Sequence, residues 1–231
     1  MFVEHVRGKI GQTRRNFIEF CQKNEALLFG EFVTKAERKS PYFFNFGKFS
    51  SGASIEALGM YYAQKILLMD RKPDVIFGSA YKGIPLSVSA AIALHRLGLA
   101  VEFCYNRKEI KDHGEQGRLV GGCMKNKQVL IVDDVLSSGI SIAEANQLIV
   151  ESGGHVIGAV VAIDREEMGN SGNTLARNEL MEKHGIGIES LISLSDIIDH
   201  VKTSPDLHQH LESITRYQKE NGTPPSNSTR M

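Results

Sequence analysis

The sequence predicts an α/β fold, a parallel sheet flanked by helices. Two observations carry that reading. Residues Gln128–Val132 (QVLIV) form a continuous apolar run, as expected of a strand covered on both faces. From Asp74 onward, strand-like runs alternate with helical patterns, the order that builds a parallel sheet with helices on both faces.

Taken in order, Thr13–Asn24 reads as a helix whose apolar face holds Phe17, Ile18, Phe20 and Cys21. Leu27–Thr34 and Tyr42–Phe46 read as strands around a charged link, Lys35–Lys39. Ser54–Asp70 reads as a long amphipathic helix. The alternating part follows. Asp74–Gly78 is a short strand. Ile84–Leu97 is a helix with Pro85 in its first turn, where proline is tolerated. Ala100–Tyr105 is strand-like, Ser141–Glu151 is a helix, and His155–Ile163 is an apolar strand. Thr174–His184 is predicted helical, Ile186–Leu194 a strand and Ser195–Val201 a final helix. Two stretches break the pattern. Asn106–Asn126 is polar with almost no apolar periodicity, which suggests a functional loop. Residues 221–231 (NGTPPSNSTRM) have no core-forming pattern and are expected to be a disordered tail.

Composition bounds the function. Apolar residues make up 42% of the 231, enough for a packed core. Lys plus Arg and Asp plus Glu balance at 27 each, without the basic excess of a general nucleic-acid or membrane-surface binder. Three scattered cysteines, with no C-x-x-C pair, argue against a zinc site or disulfide framework and fit a reducing cytoplasm. The charged N-terminus lacks the apolar run of a signal peptide, and no apolar stretch has membrane-spanning length.

The main chemical signal is Val129–Ser141, VLIVDDVLSSGIS. A buried strand runs into Asp133 and Asp134, then a small-residue turn, Ser137-Ser138-Gly139, then a helix. Ligands of open α/β sheets bind at the carboxyl ends of strands. The turn can offer backbone N–H groups to a phosphate, helped by the helix N-terminus. Ser141 and Glu144 have capping-box spacing, placing the helix start near Ser141. Carboxylates accept hydrogen bonds from vicinal sugar hydroxyls and sit well beside a magnesium-bound sugar phosphate. Ribose, phosphate and Mg²⁺ therefore suit this loop better than a nucleoside triphosphate, and G-x-x-x-x-G-K-[ST] and G-x-G-x-x-G are both absent. An acid pair after a strand is, alone, equally an ordinary solvated turn. The whole arrangement is more specific.

At these residues the chain resembles the type I phosphoribosyltransferases, whose motif for phosphoribosyl pyrophosphate (PRPP) is an apolar strand, two acids and a phosphate loop. Four further segments narrow the resemblance to the orotate phosphoribosyltransferase family of bacterial and fungal type: Phe29–Gly47, Phe77–Leu86, Phe103–Gly121 and Ala162–Gly169. It spans about Phe17 to Tyr217 and implies that family's fold, one domain over residues 1–220 with a small N-terminal α/β hood from about 1–50. It implies transfer of phosphoribosyl from PRPP to orotate with Mg²⁺ held mainly by PRPP and water, in a cytoplasmic homodimer with a shared active-site loop.

The resemblance also implies roles. Phe43 and Phe44 would line the orotate pocket, at least one also serving the core, and Arg165 would bind the orotate carboxylate or a ring carbonyl. Lys35 would reach the substrates. Tyr81 and Lys82, in SAYKG, would hold pyrophosphate, with a cis bond between Ala80 and Tyr81. Arg107, Lys108, Lys111 and His113 would belong to a mobile lid, with Lys111 and Arg107 stabilising the leaving group and Gly114 and Gly117 giving flexibility. Asp133 and Asp134 would hold the ribose hydroxyls. Val135, Leu136, Ser137, Ser138, Gly139, Ile140 and Ser141 would form the phosphate loop, Ser137 also touching orotate. Relatives often carry a threonine where Ile140 stands, which puts one side-chain phosphate contact in doubt. Read without the resemblance, Lys35 is better taken as a solvated loop lysine, the serious alternative for the lid charges is a solvated loop, and that for Arg165 is a surface ion pair. The rival functions are transfer to another base, a PRPP-sensing regulator and a generic sugar-phosphate binder.

Overall fold

A computed structural model describes residues 10–33, 39–111 and 117–222. Lys35 and His113 lie outside the described residues. Lys111 is described by its backbone alone.

Apolar spacing and turn chemistry set the elements. Helix α1 (Ile10–Lys23) is followed by the hairpin β1 (Leu27–Val33) and β2 (Lys39–Phe44). A 3₁₀ turn, Phe46–Lys48, leads to α2 (Gly52–Leu68), whose start is fixed by a reciprocal Ser51–Ser54 capping box. The alternating region is β3 (Val75–Gly78), α3 (Gly83–Arg96), β4 (Glu102–Lys111), β5 (Gly117–Gly121), β6 (Gln128–Leu136), α4 (Ile140–Glu151), β7 (His155–Asp164), α5 (Ala176–His184), β8 (Ile188–Ser193) and α6 (Leu194–Thr203). A 3₁₀ segment, Pro205–His210, and α7 (Leu211–Gly222) follow.

Four expectations are corrected. Residues Asn106–Lys111 and Gly117–Gly121 are strand, not loop: β4 and β5 pair antiparallel, with Asn106 opposite Leu119 and Lys111 opposite Gly117. The helix ending at Val201 in the sequence reading is not the last, because α7 packs against α6 and β2. Helix α4 starts at Ile140, with Gly139 as its N-cap and no side-chain capping bond, so Ser141 and Glu144 do not cap it. Helix α7 also takes in Asn221 and Gly222, the first two residues of the expected tail.

The large sheet has the order β5-β4-β3-β6-β7-β8, parallel except for β5. The hairpin is a separate two-stranded sheet. Successive side chains of a strand face opposite sides, and the core divides accordingly. Val75, Phe77, Val129, Ile131, Ala159 and Val161 pack with Ile142, Ala145 and Ile149 of α4 and Leu180 of α5. Ile76, Leu130, Val132, Val160 and Ala162 pack on the other side with α2, α3, α6 and the hairpin, where Leu58, Tyr62, Ile66 and Leu86 are fully buried. Both faces are covered, which is why QVLIV is apolar throughout.

Candidate active site

The carboxyl ends of β3, β6 and β7, together with β4 beyond Tyr105, meet around one region. Strand β6 is central and brings Asp133 and Asp134 there. Asp134 is buried and its Oδ2 accepts from Lys82 Nζ at 2.7 Å. That ion pair joins the end of β6 to the turn before α3. The Asp133 carbonyl accepts from the fully buried Tyr62 hydroxyl at 2.7 Å, which pins the strand where the acids leave it. Burial, and then the adjacent Asp134 charge, push the Asp133 carboxyl up to about 7.

Gly139 turns the loop after the acids, with φ of 84°. That left-handed backbone suits glycine and leads directly into α4. Ser137 is half-buried and donates to Glu167 Oε2 at 2.9 Å. Ser138 lies beside it, while Ile140 and Ser141 are exposed on the first turn of α4. Val135 is half-buried and Leu136 buried, so both serve packing with their side chains.

The turn between β3 and α3 depends on a close backbone approach. A Cβ on Gly78 would stand 2.0 Å from the Gly83 carbonyl oxygen. The Ala80–Tyr81 bond is cis. The Ala80 N–H donates to Asn106 Oδ1 at 3.0 Å, so β4 holds the turn from the side. Tyr81 is exposed, and Lys108 Nζ sits 4.7 Å from its ring centroid, within cation–π range. Arg107 and Lys108 belong to the part of β4 that runs past the end of its pairing with β3 at Tyr105.

Arg165 follows β7 and is buried, not a surface residue. Its N–H donates to the Leu136 carbonyl at 3.0 Å, which sets it directly beside the loop that follows β6. Its Nε donates to Glu167 Oε1 at 2.5 Å, and Nη2 donates to the Tyr217 hydroxyl at 2.6 Å and to Ser40 Oγ at 3.2 Å. The guanidinium lies 4.6 Å from the Tyr42 ring centroid. Glu167 is 3% exposed; burial pushes its carboxyl up, but Arg165 and the Tyr217 and Ser137 hydroxyls outweigh this and hold it below the usual range. Of the aromatic pair, Phe44 lies in the core and Phe43 is half-buried, stacked on Phe32 at 5.4 Å.

The structure therefore gathers Lys82, Asp133, Asp134, Ser137 and Arg165 at neighbouring strand ends, with Arg107, Lys108 and Tyr81 on the adjoining β4 and turn. Sequence reasoning missed Ser40, Tyr42, Asn106, Glu167 and Tyr217. Glu167 lies in the quoted segment Ala162–Gly169, so that motif held a signal for it; Tyr217 sits on a helix the reading did not contain. Among the described residues, no group of three or more His, Cys, Asp or Glu side chains converges to hold a metal ion. Among them, too, no helix is long and apolar enough to cross a membrane.

A largely parallel sheet whose central strand delivers two acids to a glycine turn before a helix is the arrangement expected of a phosphoribosyltransferase, and the phosphoribosyl transferase domain family matches residues 50–185. The orotate phosphoribosyltransferase of Chromobacterium violaceum is 44% identical over 209 residues, covering 90% of this chain and 97% of its own. That of Nitrosococcus oceani is 43% identical over 210 residues, covering 90% and 95%. The crystal structure of the orotate phosphoribosyltransferase from Francisella tularensis superposes with a TM-score of 0.79 at 35% identity, covering 90% of this chain and 99% of that one. The chain belongs to the orotate phosphoribosyltransferase family.

Proposed function

We infer that this chain transfers the phosphoribosyl group of PRPP to orotate, giving orotidine 5'-monophosphate and pyrophosphate, a step of pyrimidine biosynthesis. The observation that carries this is the adjacency of two recognition sites. The acid pair and anion loop follow β6, and Arg165 follows β7, bonded through its backbone to Leu136. A sugar phosphate and an anionic base can thus be held side by side.

The reaction breaks the bond from the anomeric carbon to pyrophosphate oxygen and forms one to a ring nitrogen of orotate. Positive charge builds on the sugar and negative charge on pyrophosphate. Orotate supplies an anionic nucleophile, so positioning and electrostatics suffice. Asp133 and Asp134 hold the ribose hydroxyls. The backbone of 137–141, with Ser138 and Ser141, holds the 5'-phosphate. Lys82, Tyr81, Arg107, Lys108, Lys111 and His113 surround pyrophosphate, with Lys35 reaching the same substrates. Phe43 flanks the base with Phe44 behind it, and Arg165 meets a base oxygen. The donor set fits Mg²⁺ bound chiefly through PRPP oxygens and water, since this ion keeps its waters and takes few carboxylates. When bound, Mg²⁺ neutralises charge on pyrophosphate. The 1–220 unit, with its hood, acts in the cytoplasm as a homodimer whose β4–β5 arm serves the partner's site.

Orotate absorbance, followed with PRPP and Mg²⁺ present and each omitted in turn, tests the reading. Loss of orotate only in the complete mixture is expected. No loss, with PRPP binding intact, would overturn it in favour of another base or a regulator.

A further inference from the structure

Glu167 has no part in the reaction scheme above, yet it stands between the phosphate loop and the arginine on the base side. Its Oε2 accepts from Ser137 Oγ, and its Oε1 accepts from Arg165 Nε and the Tyr217 hydroxyl. One carboxylate thus ties the loop after β6 to the arginine after β7 and to α7.

The direction of these bonds matters. A serine hydroxyl has one proton and two lone pairs. Ser137 directs its proton to Glu167, so it offers a ligand only acceptor capacity. A phosphate dianion has no proton to give, and cannot use a serine turned this way. A ring N–H can. Arg165 is fixed in the opposite sense. Nε and Nη2 are held by Glu167, Tyr217 and Ser40, and Nη1 has no hydrogen bond among those of the described residues. Nη1 is therefore the donor left for a ligand. A donor from Arg165 and an acceptor from Ser137, joined through one carboxylate, complement a ring edge that presents a carbonyl or carboxylate oxygen and an N–H. That is the edge of a pyrimidinedione, not of a phosphate.

Resting on the function inferred above, we propose that Glu167 is a positioning residue for base recognition: it turns the Ser137 hydroxyl away from phosphate and toward the base, and holds the Arg165 plane. That Ser137 touches orotate is already implied by the family resemblance; the role assigned here is that of Glu167, which aims that hydroxyl and holds the guanidinium beside it.

Steady-state kinetics with each substrate varied in turn tests this, on wild type, Glu167→Gln and Ser137→Ala. An amide has one accepting end and cannot serve both Ser137 and Arg165. Glu167→Gln is expected to raise the orotate KM about tenfold to hundredfold, the range for losing a hydrogen bond to a charged group, with the PRPP KM unchanged. Ser137→Ala is expected to raise the orotate KM in the same selective way. In the double variant the losses are expected to combine to less than their product, because the two residues share one bond. An unchanged orotate KM in folded Glu167→Gln, an equal rise in both KM values, or a Ser137→Ala effect falling on PRPP would overturn the proposal. If Glu167→Gln fails to fold, Glu167→Asp, which keeps the charge but shortens the reach to Ser137 and Arg165, is measured in its place against the same outcomes. Wild-type protein without orotate turnover would remove the inferred reaction and this role together. Wild-type turnover with indifferent variants would remove only the role.

Discussion

At the scale of single residues, Asp133 costs the folded protein stability. Its carboxyl is raised from 3.8 to about 7, so the folded state prefers it protonated. Nothing is lost below the ordinary carboxylate range. As pH rises from about 4 to about 7, the unfolded chain releases a proton that the folded one retains, and stability falls by that linkage. Asp133→Asn is expected to raise Tm at pH 8 by about 2–4 °C, the shift about 1 kcal/mol produces in a chain of this size. The gain should shrink at pH 5, while turnover falls at least about a hundredfold. Melting curves at the two pH values check this; equal gains at both would contradict the linkage. Tyr42 offers a second case. Among the described residues its buried hydroxyl has no hydrogen-bond partner, while its ring lies against Arg165. Tyr42→Phe removes the unsatisfied group and keeps the ring, so denaturant unfolding should show a gain of about 1 kcal/mol. A loss would mean that the hydroxyl has a partner.

At the scale of elements, the legible parts were those whose signal is local. The acid pair, the small-residue turn and the apolar strand before them occupy one stretch, Val129–Ser141, and each was read from its neighbours. Glu167 was not legible in that way, because its partners Ser137, Arg165 and Tyr217 are brought together only by the fold. Strand β4 was cut short because its outer half runs past the end of β3 and pairs with the edge strand β5, where its polar residues show no apolar alternation. Helix α7 escaped because only Ile214 and Tyr217 of its residues are buried. The misplaced capping box shows the limit of spacing rules: Gly139 begins the helix through its backbone, and the Ser141 hydroxyl is not needed. The β3–α3 turn gives the prediction proper to this scale. Gly78→Ala would drive a methyl group into the Gly83 carbonyl, and backbone on both sides leaves nothing flexible to yield. A destabilisation of more than about 3 kcal/mol is expected, measured by denaturant titration. A shift under 1 kcal/mol would show that the turn can open.

For the whole molecule, the β4–β5 arm carries the expectation of a shared site. If the arm serves the partner's site, Lys111→Ala and Asp133→Asn proteins, each inactive alone, should regain about a quarter of wild-type turnover when their subunits are mixed and re-paired. Half of the dimers are then mixed, and each has one intact site of two. No recovery, with mixed dimers demonstrated, would mean that each subunit closes its own site.

The division of the core by strand parity has an evolutionary consequence. Leu130 and Ile131 are chain neighbours, yet they answer to different sets of packing partners. Drift at Ile131 is compensated among residues such as Ala145, Ile149 and Val161, and drift at Leu130 on the side of Leu58 and Ile66. The two halves of the interior can thus diverge at separate tempos. The single-residue insertion that most proteins tolerate in a loop is ruled out within β6, where it would exchange the two lineages of side chains at a stroke.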